Sequence, residues 1–157
     1  MLEIRALAKP DIDQLATLFE EMQRHYQVPV PPRSEIVGKL VQLPPGAEIL
    51  VATIPAIIGF AAFSTIYPGP GLKSGFFLKE LFVAPSHRGT GTGRALMTAV
   101  ARLAIARGHS RVDWTADRGN ARLLDFYSGL GAVAQEEKVF YRLSAEALAL
   151  CAAPTDG

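Results

Sequence analysis

The stretch "LKELFVAPSHRGTGTGRALM", residues 78–97, decides how this chain is read. It opens as an apolar strand, stops at Pro85, and turns through Gly89, Gly91 and Gly93. It then runs into Leu96, Met97, Val100, Leu103 and Ala104 at helical spacing. At a strand, turn and helix of this kind successive main-chain N–H groups converge on one point, and the helix N-terminus adds partial positive charge. Glycines let a large anion come up to the main chain without meeting a Cβ. A pyrophosphate fits that description with no metal. Two other phosphate patterns do not. A Walker A loop needs Gly-Lys-Ser/Thr, but Gly93 is followed by Arg94 and Ala95. A dinucleotide fingerprint needs a third glycine where this chain has Arg94 or Leu96.

Outward from that turn the chain alternates strands and helices. Upstream, the residue patterns predict a strand at 2–5 and an amphipathic helix to about His25, on which Ile12, Leu15, Ala16, Phe19 and Met22 share a face. A second short helix is expected at 35–43, then a hairpin of 48–53 with 57–66, and a long strand at 76–84. The loop "YPGPGLKSG" is too rich in Pro and Gly for regular structure. Downstream of the turn the helix should run to about Arg107, followed by a strand at 111–115, a helix at 120–130 and a last strand at 139–143. From Ser144 a short helix is expected to lead into a disordered end. The order implies one α/β domain, residues 1–143, with a largely antiparallel front and a parallel crossover at the glycine turn, and a tail at 144–157.

Composition narrows the function classes. With 157 residues, 49% hydrophobic and 20% charged, and a formal net charge of +1, the chain has no field suited to nucleic acid or an anionic membrane. A single cysteine, Cys151, rules out a disulfide framework, and no Cys/His spacing suggests a metal. The N-terminus lacks the layout of a signal peptide. The apolar stretch "ILVATIPAIIGFAAF" is broken by Pro55 and Gly59, and reads as two strands and a turn. A cytoplasmic setting is expected.

As a unit, residues 78–97 resemble the central motif of the GCN5-related N-acetyltransferase (GNAT) family, Arg/Gln-x-x-Gly-x-Gly/Ala after a strand ending Val-x-Pro. Arg88, Gly89, Thr90, Gly91, Thr92 and Gly93 fill the motif. Downstream, "NARLLDFYSGLGA", residues 120–132, is similar to the family's second motif. The early "LFEEMQRHYQVP", Trp114 and the Asp-Phe-Tyr run resemble diamine and thialysine N-acetyltransferases, although "DRGNA" departs from them. The resemblance implies a sheet of about seven mostly antiparallel strands with four helices, acetyl-CoA as co-substrate with no metal, and direct transfer of the acetyl group to an amine. A small primary amine is the expected acceptor, polyamine or lysine-like. A peptide N-terminus, a protein lysine, or a non-catalytic acyl-CoA-binding module are the alternatives. A homodimer is implied by the resemblance alone.

The same resemblance assigns roles. A bulge in the strand at 78–83 would free a main-chain N–H of Leu81, Phe82 or Val83 to polarise the thioester. Tyr127 would protonate the departing thiolate; packing through its ring is the other reading. Asn120 is open between contacting CoA and capping its helix. Arg88 and Arg94 at the turn, and Arg122, are candidates for the CoA phosphates, against a solvated helix face for the last two. Glu80 is a carboxylate in an apolar strand, and strict alternation puts it on the face of Leu78 and Phe82, opposite Phe77, Lys79 and Leu81. It could take the amine proton through water or hold a cationic acceptor; a solvated carboxylate paired with Lys79 is the plainer reading. His25 and Tyr26 close the first helix, where they could line the acceptor site or pack the helix end. His87 could touch phosphate or simply occupy a surface turn. Glu20 and Glu21 could meet a cationic acceptor or remain solvated.

Overall fold

The structure is a computed structural model that describes residues 1–155. It contains two compact units, Met1–Asp117 and Arg118–Gly157. The first unit holds a sheet of five strands in chain order: β1 (Glu3–Ala6), β2 (Ala47–Ile54), β3 (Ala56–Ile66), β4 (Gly75–Val83) and β5 (Val112–Asp113). The first four pair antiparallel, and β2 reverses into β3 at Pro55, with Ile54 opposite Ala56. β5 pairs parallel to β4, as a strand reached through a helical crossover must.

The helical periodicity of the early chain becomes α1 (Ile12–His25) and α2 (Arg33–Val41). Leu15, Ala16, Leu18 and Met22 of α1 and Ile36 and Leu40 of α2 bury against Ile49, Val51, Phe60 and Phe82 of the sheet. Each large side chain fully buried there contributes about 1.5–3 kcal/mol relative to exposure. α3 (Thr92–Ala106) covers the other face with Leu96, Met97, Val100 and Ala104. Gly59 marks that side, since a Cβ on it would lie 3.4 Å from Leu96 Cδ1 and 2.9 Å from the Phe82 carbonyl oxygen.

The β3–β4 register corrects the strict alternation expected for β4. Ala62 stands opposite Glu80 and Phe63 opposite Leu78, so Lys79 is an extra residue, a β-bulge. Ala62 and Phe63 are neighbours and point to opposite faces, and opposed residues share a face. Leu78 therefore lies with Phe63 and Phe76 toward α3, whereas Glu80 and Phe82 face α1. Glu80 shares its face with Phe82, as expected, but not with Leu78.

The second unit contains α4 (Ala121–Gly129) and α5 (Ala145–Ala152). The strand expected at 139–143 does not form: Val139, Phe140, Tyr141 and Leu143 are exposed, and no strand among the described residues pairs with them. The strand expected at 111–115 narrows to the two residues of β5. The described residues thus hold five strands rather than about seven, and five α-helices rather than four. β propensity is a fit to a pleated, half-buried surface, so it cannot make a strand without a partner. The loop after β3 also carries one short 3-10 turn, Pro70–Leu72, closed by Leu72 N–H on the Gly69 carbonyl. Expected disorder at the end falls on Asp156 and Gly157, outside the described residues.

Candidate active site

The glycine turn is built by backbone need. Gly89 and Gly91 have φ of 76° and 88°, a region that side chains other than glycine's occupy only with strain. A Cβ at either would meet nothing within 4 Å, so packing does not demand glycine there and the space before the turn is open. Gly91 is the N-cap of α3, and the first helical bond is Ala95 N–H to the Gly91 carbonyl, 3.0 Å. Among the described residues, the main-chain N–H groups of residues 89–94 find no acceptor. Thr90 braces the turn by donating its hydroxyl to the His87 carbonyl at 2.5 Å, and its oxygen accepts from the buried Thr92 hydroxyl at 3.1 Å. A row of unused donors at a helix N-terminus, with open space before it, suits the pyrophosphate of CoA.

The side chains around the turn are disposed unequally. Arg94 is exposed on the first turn of α3. His87 is paired with its neighbour, Nδ1 lying 3.0 Å from Ser86 Oγ. Arg88 turns back onto β4: its Nε donates to the Val83 carbonyl at 2.9 Å and its guanidinium lies 5.2 Å from the centre of the Phe82 ring. A groove of about 830 Å³ follows α3 from Gly91 and Arg94 to Ala106, facing Ile4 and Leu50. Glu80, His25 and Tyr26, described next, do not line it.

β4 leaves an open edge close to the turn in sequence. Its pairing with β5 covers only Phe76 with Val112 and Phe77 with Asp113. Leu81, Phe82 and Val83 are held from the other side by Ala61, Phe60 and Gly59 of β3. Beyond Phe77, then, β4 has one satisfied edge and one that no described strand occupies.

The α1-facing side of β4 meets the end of α1. Tyr26 Oη donates to Glu80 Oε2 at 3.4 Å, and Glu80 Oε1 lies 3.5 Å from Lys79 Nζ. His25 sets its ring edge-on to Tyr26 at 5.3 Å and to Phe82 at 5.9 Å. The Glu80 side chain is 27% exposed, reachable from solvent rather than sealed in the core. Glu80, His25 and Tyr26, 54 residues apart at the two ends of the hydrogen bond, therefore form one cluster. Glu20 does not join it: its carboxylate accepts from Arg33 at 2.6 Å and helps tie α2 to α1.

The remaining site residues lie in the second unit. Asn120 caps α4, its side-chain oxygen accepting from Leu123 N–H at 3.2 Å. Tyr127 is half-buried two turns on, its ring 5.4 Å from that of Phe126, and Arg122 is exposed on the same helix. Sequence reasoning missed the tie from Arg88 to Val83; it expected a bulge in the strand at 78–83 without its position, which the register puts at Lys79. Glu80 next to Lys79 in an apolar strand was the only local sign of that position.

Comparison with known proteins places this fold. Residues 15–132 match the acetyltransferase (GNAT) family. The chain belongs to that family, whose members use acetyl-CoA as acyl donor. Among individual relatives, it is 35% identical over 92 residues to the L-ornithine N5-acetyltransferase NATA1 of Arabidopsis thaliana, covering 59% of this chain and 40% of that protein. It is 28% identical over 78 residues to the thialysine N-epsilon-acetyltransferase of Bos taurus, covering 50% and 45%. The matches thus span less than half the length of these curated relatives. Among solved structures, an integron cassette protein from the mobile metagenome of V. cholerae superposes with a TM-score of 0.88 at 30% identity, covering 96% of this chain and 97% of that one. An aminoglycoside acetyltransferase from an uncultured soil metagenomic sample shares the fold, with a TM-score of 0.75 at 23% identity over 92% and 97%. Among the described residues no helix is long and apolar enough to cross a membrane, and no group of three or more His, Cys, Asp or Glu could hold a metal ion.

Proposed function

We propose that this chain is an acetyl-CoA-dependent N-acetyltransferase acting on a small primary amine, polyamine or lysine-like, by direct transfer. The observation that carries this reading is the row of unpartnered N–H groups at 89–94, shortly after a strand with a free edge and a solvent-reachable carboxylate, Glu80. The small-amine acceptor is supported by the ornithine and thialysine acetyltransferases among the relatives. A homodimer is part of the reading on family grounds, and light scattering on the purified chain checks it.

Acetyl-CoA, when bound, supplies the activated acetyl thioester. Residues 89–94 hold its pyrophosphate through main-chain donors, and Arg94 and Arg122 add charge at the phosphates. A main-chain N–H of Leu81, Phe82 or Val83 stabilises the charge growing on the carbonyl oxygen, an effect typically worth about 2.7–4 kcal/mol. Glu80 takes the proton that the acceptor's ammonium must lose, and Tyr26 orients that carboxylate. As the N–C bond forms and the C–S bond breaks, the Tyr127 hydroxyl gives its proton to the departing sulfur, and the second proton that the nitrogen sheds on becoming an amide restores the phenol through solvent. Asn120 orders the start of the helix that carries Tyr127.

Calorimetric titration with CoA and thiol release from acetyl-CoA over a panel of diamines, basic amino acids and peptides test this. Expected are CoA binding and turnover with a small amine, both lost in Gly91→Glu, whose carboxylate would enter the open space before the turn. Turnover with peptides alone would replace the acceptor assigned here. Binding without any turnover would leave an acyl-CoA-binding module.

A further inference from the structure

We infer that Arg88 acts as a positioning residue through its Nε–H, and not as a cation at the CoA phosphates. This rests on the function proposed above. Two contacts define the side chain: Nε to the Val83 carbonyl, 2.9 Å, and the guanidinium over Phe82, 5.2 Å from the ring centre. Both lie on β4, five and six residues back along the chain, so the side chain ties the glycine turn to the strand that precedes it. Phe82 is also the ring against which His25 sets its edge, and His25 is in ring contact with Tyr26, the partner of Glu80. Arg88 therefore braces two surfaces at once, the turn before the cofactor and the aromatic wall behind the acceptor cluster. Gly89 and Gly91 are conformationally loose in isolation, and Thr90 fixes the turn only to itself, through the His87 carbonyl. The tie to Val83 is the side-chain bond that sets where the turn sits relative to β4.

The atom that makes the bond decides which replacement can substitute. Counting from Cα, the glutamine amide nitrogen falls at the same position as arginine Nε. Lysine keeps the positive charge but places a methylene there, which cannot donate. A brace is thus kept by glutamine and lost by lysine, whereas a phosphate contact is kept by lysine and lost by glutamine.

The test compares Arg88→Gln, Arg88→Lys and Arg88→Ala by calorimetric titration with CoA, with thermal melts to confirm folding. Steady-state KM for the best amine is measured with acetyl-CoA and with S-acetylpantetheine, which carries no pyrophosphate. Expected is near wild-type CoA affinity for Arg88→Gln, and a loss of about tenfold or more for Arg88→Lys and Arg88→Ala, on the scale of about 1.4 kcal/mol per tenfold. Arg88→Lys should also raise the amine KM with both donors. The inference is overturned if lysine retains affinity while glutamine loses it, if all variants bind like wild type, or if the amine KM of Arg88→Lys rises only with the pyrophosphate-bearing donor. Should the alanine variant not fold, the glutamine and lysine variants decide alone. Wild-type protein that binds no CoA would sink the proposed function itself, a distinct result from any of these.

Discussion

Under the proposed function, Glu80 is the side chain on which acceptor chemistry turns. In an apolar strand a carboxylate would ordinarily be a liability, yet here it is accessible, touches Tyr26 and Lys79, and is left out of the ion pairs that hold the fold together. Replacing it with glutamine keeps shape and hydrogen bonding and removes proton acceptance. Glu80→Gln should lower kcat/KM for the amine by about 10²-fold or more, in line with the loss of a general base, with CoA affinity unchanged. Unaltered turnover in steady-state assays would remove Glu80 from the mechanism. Tyr127→Phe should lower kcat while sparing CoA affinity, and equal losses of both would mark the tyrosine as structural. Gly59 offers a stability counterpart. An added Cβ would lie 2.9 Å from the Phe82 carbonyl, so Gly59→Ala should cost about 1–3 kcal/mol in chemical denaturation, as overpacking does.

The element that sets up this chemistry is β4, and its decisive feature is the extra residue at Lys79. Because side chains alternate with a period of two, one inserted residue exchanges the faces of everything beyond it. Deleting Lys79 removes the bulge and leaves Leu78 opposite Phe63 and Glu80 opposite Ala62, so every core side chain of β4 keeps its face. Deleting Leu81 instead makes Glu80 and Phe82 neighbours on opposite faces, and one of them is misplaced. The first variant should melt near the wild type, and the second should lose about 3–5 kcal/mol, the cost of losing a core phenylalanine. Equal destabilisation of the two deletions in thermal melts would refute the register described here. The bulge also explains how neighbouring residues in one strand, Lys79 and Glu80, can meet as an ion pair.

The first unit is closed by ion pairs that join separate elements. Arg5 of β1 grips Asp11 before α1 at 2.6 and 2.8 Å, Arg33 of α2 reaches Glu20 and Asp13 of α1, and Arg107 after α3 makes two bonds to Glu48 of β2. Hydrogen bonding to Arg5 holds the Asp11 carboxyl below its ordinary value of 3.8, against the opposing effect of burial. Arg107 likewise holds Glu48 below 4.5. A carboxyl whose pKa is lowered on folding stabilises the folded chain above its unfolded value, and that contribution fades as pH falls through the folded one. The melting temperature should therefore drop as pH falls below about 5. The double variant Asp11→Asn, Glu48→Gln should melt lower than wild type at neutral pH and show a shallower acid limb in calorimetry. Parallel acid limbs would mean that these pairs do not govern acid stability.

What the residues determine by themselves is local. Proline and glycine punctuation placed the turn at 88–93, periodicity placed α1 and α3 within a residue or two of their ends, and Asn120 before an apolar run marked the start of α4. Each follows from the φ a residue can adopt or from the face it must bury, which neighbours in sequence suffice to define. Tertiary structure alone decided the face of Glu80, the acceptor that Arg88 finds and the number of strands. The bulge exists only in register with β3, some seventeen residues upstream of Lys79, and the Val83 carbonyl becomes a partner only once the turn folds back. At 139–143 the strand-like pattern had no partner among the described strands. Pairing is a property of two segments, and no reading of one segment contains it.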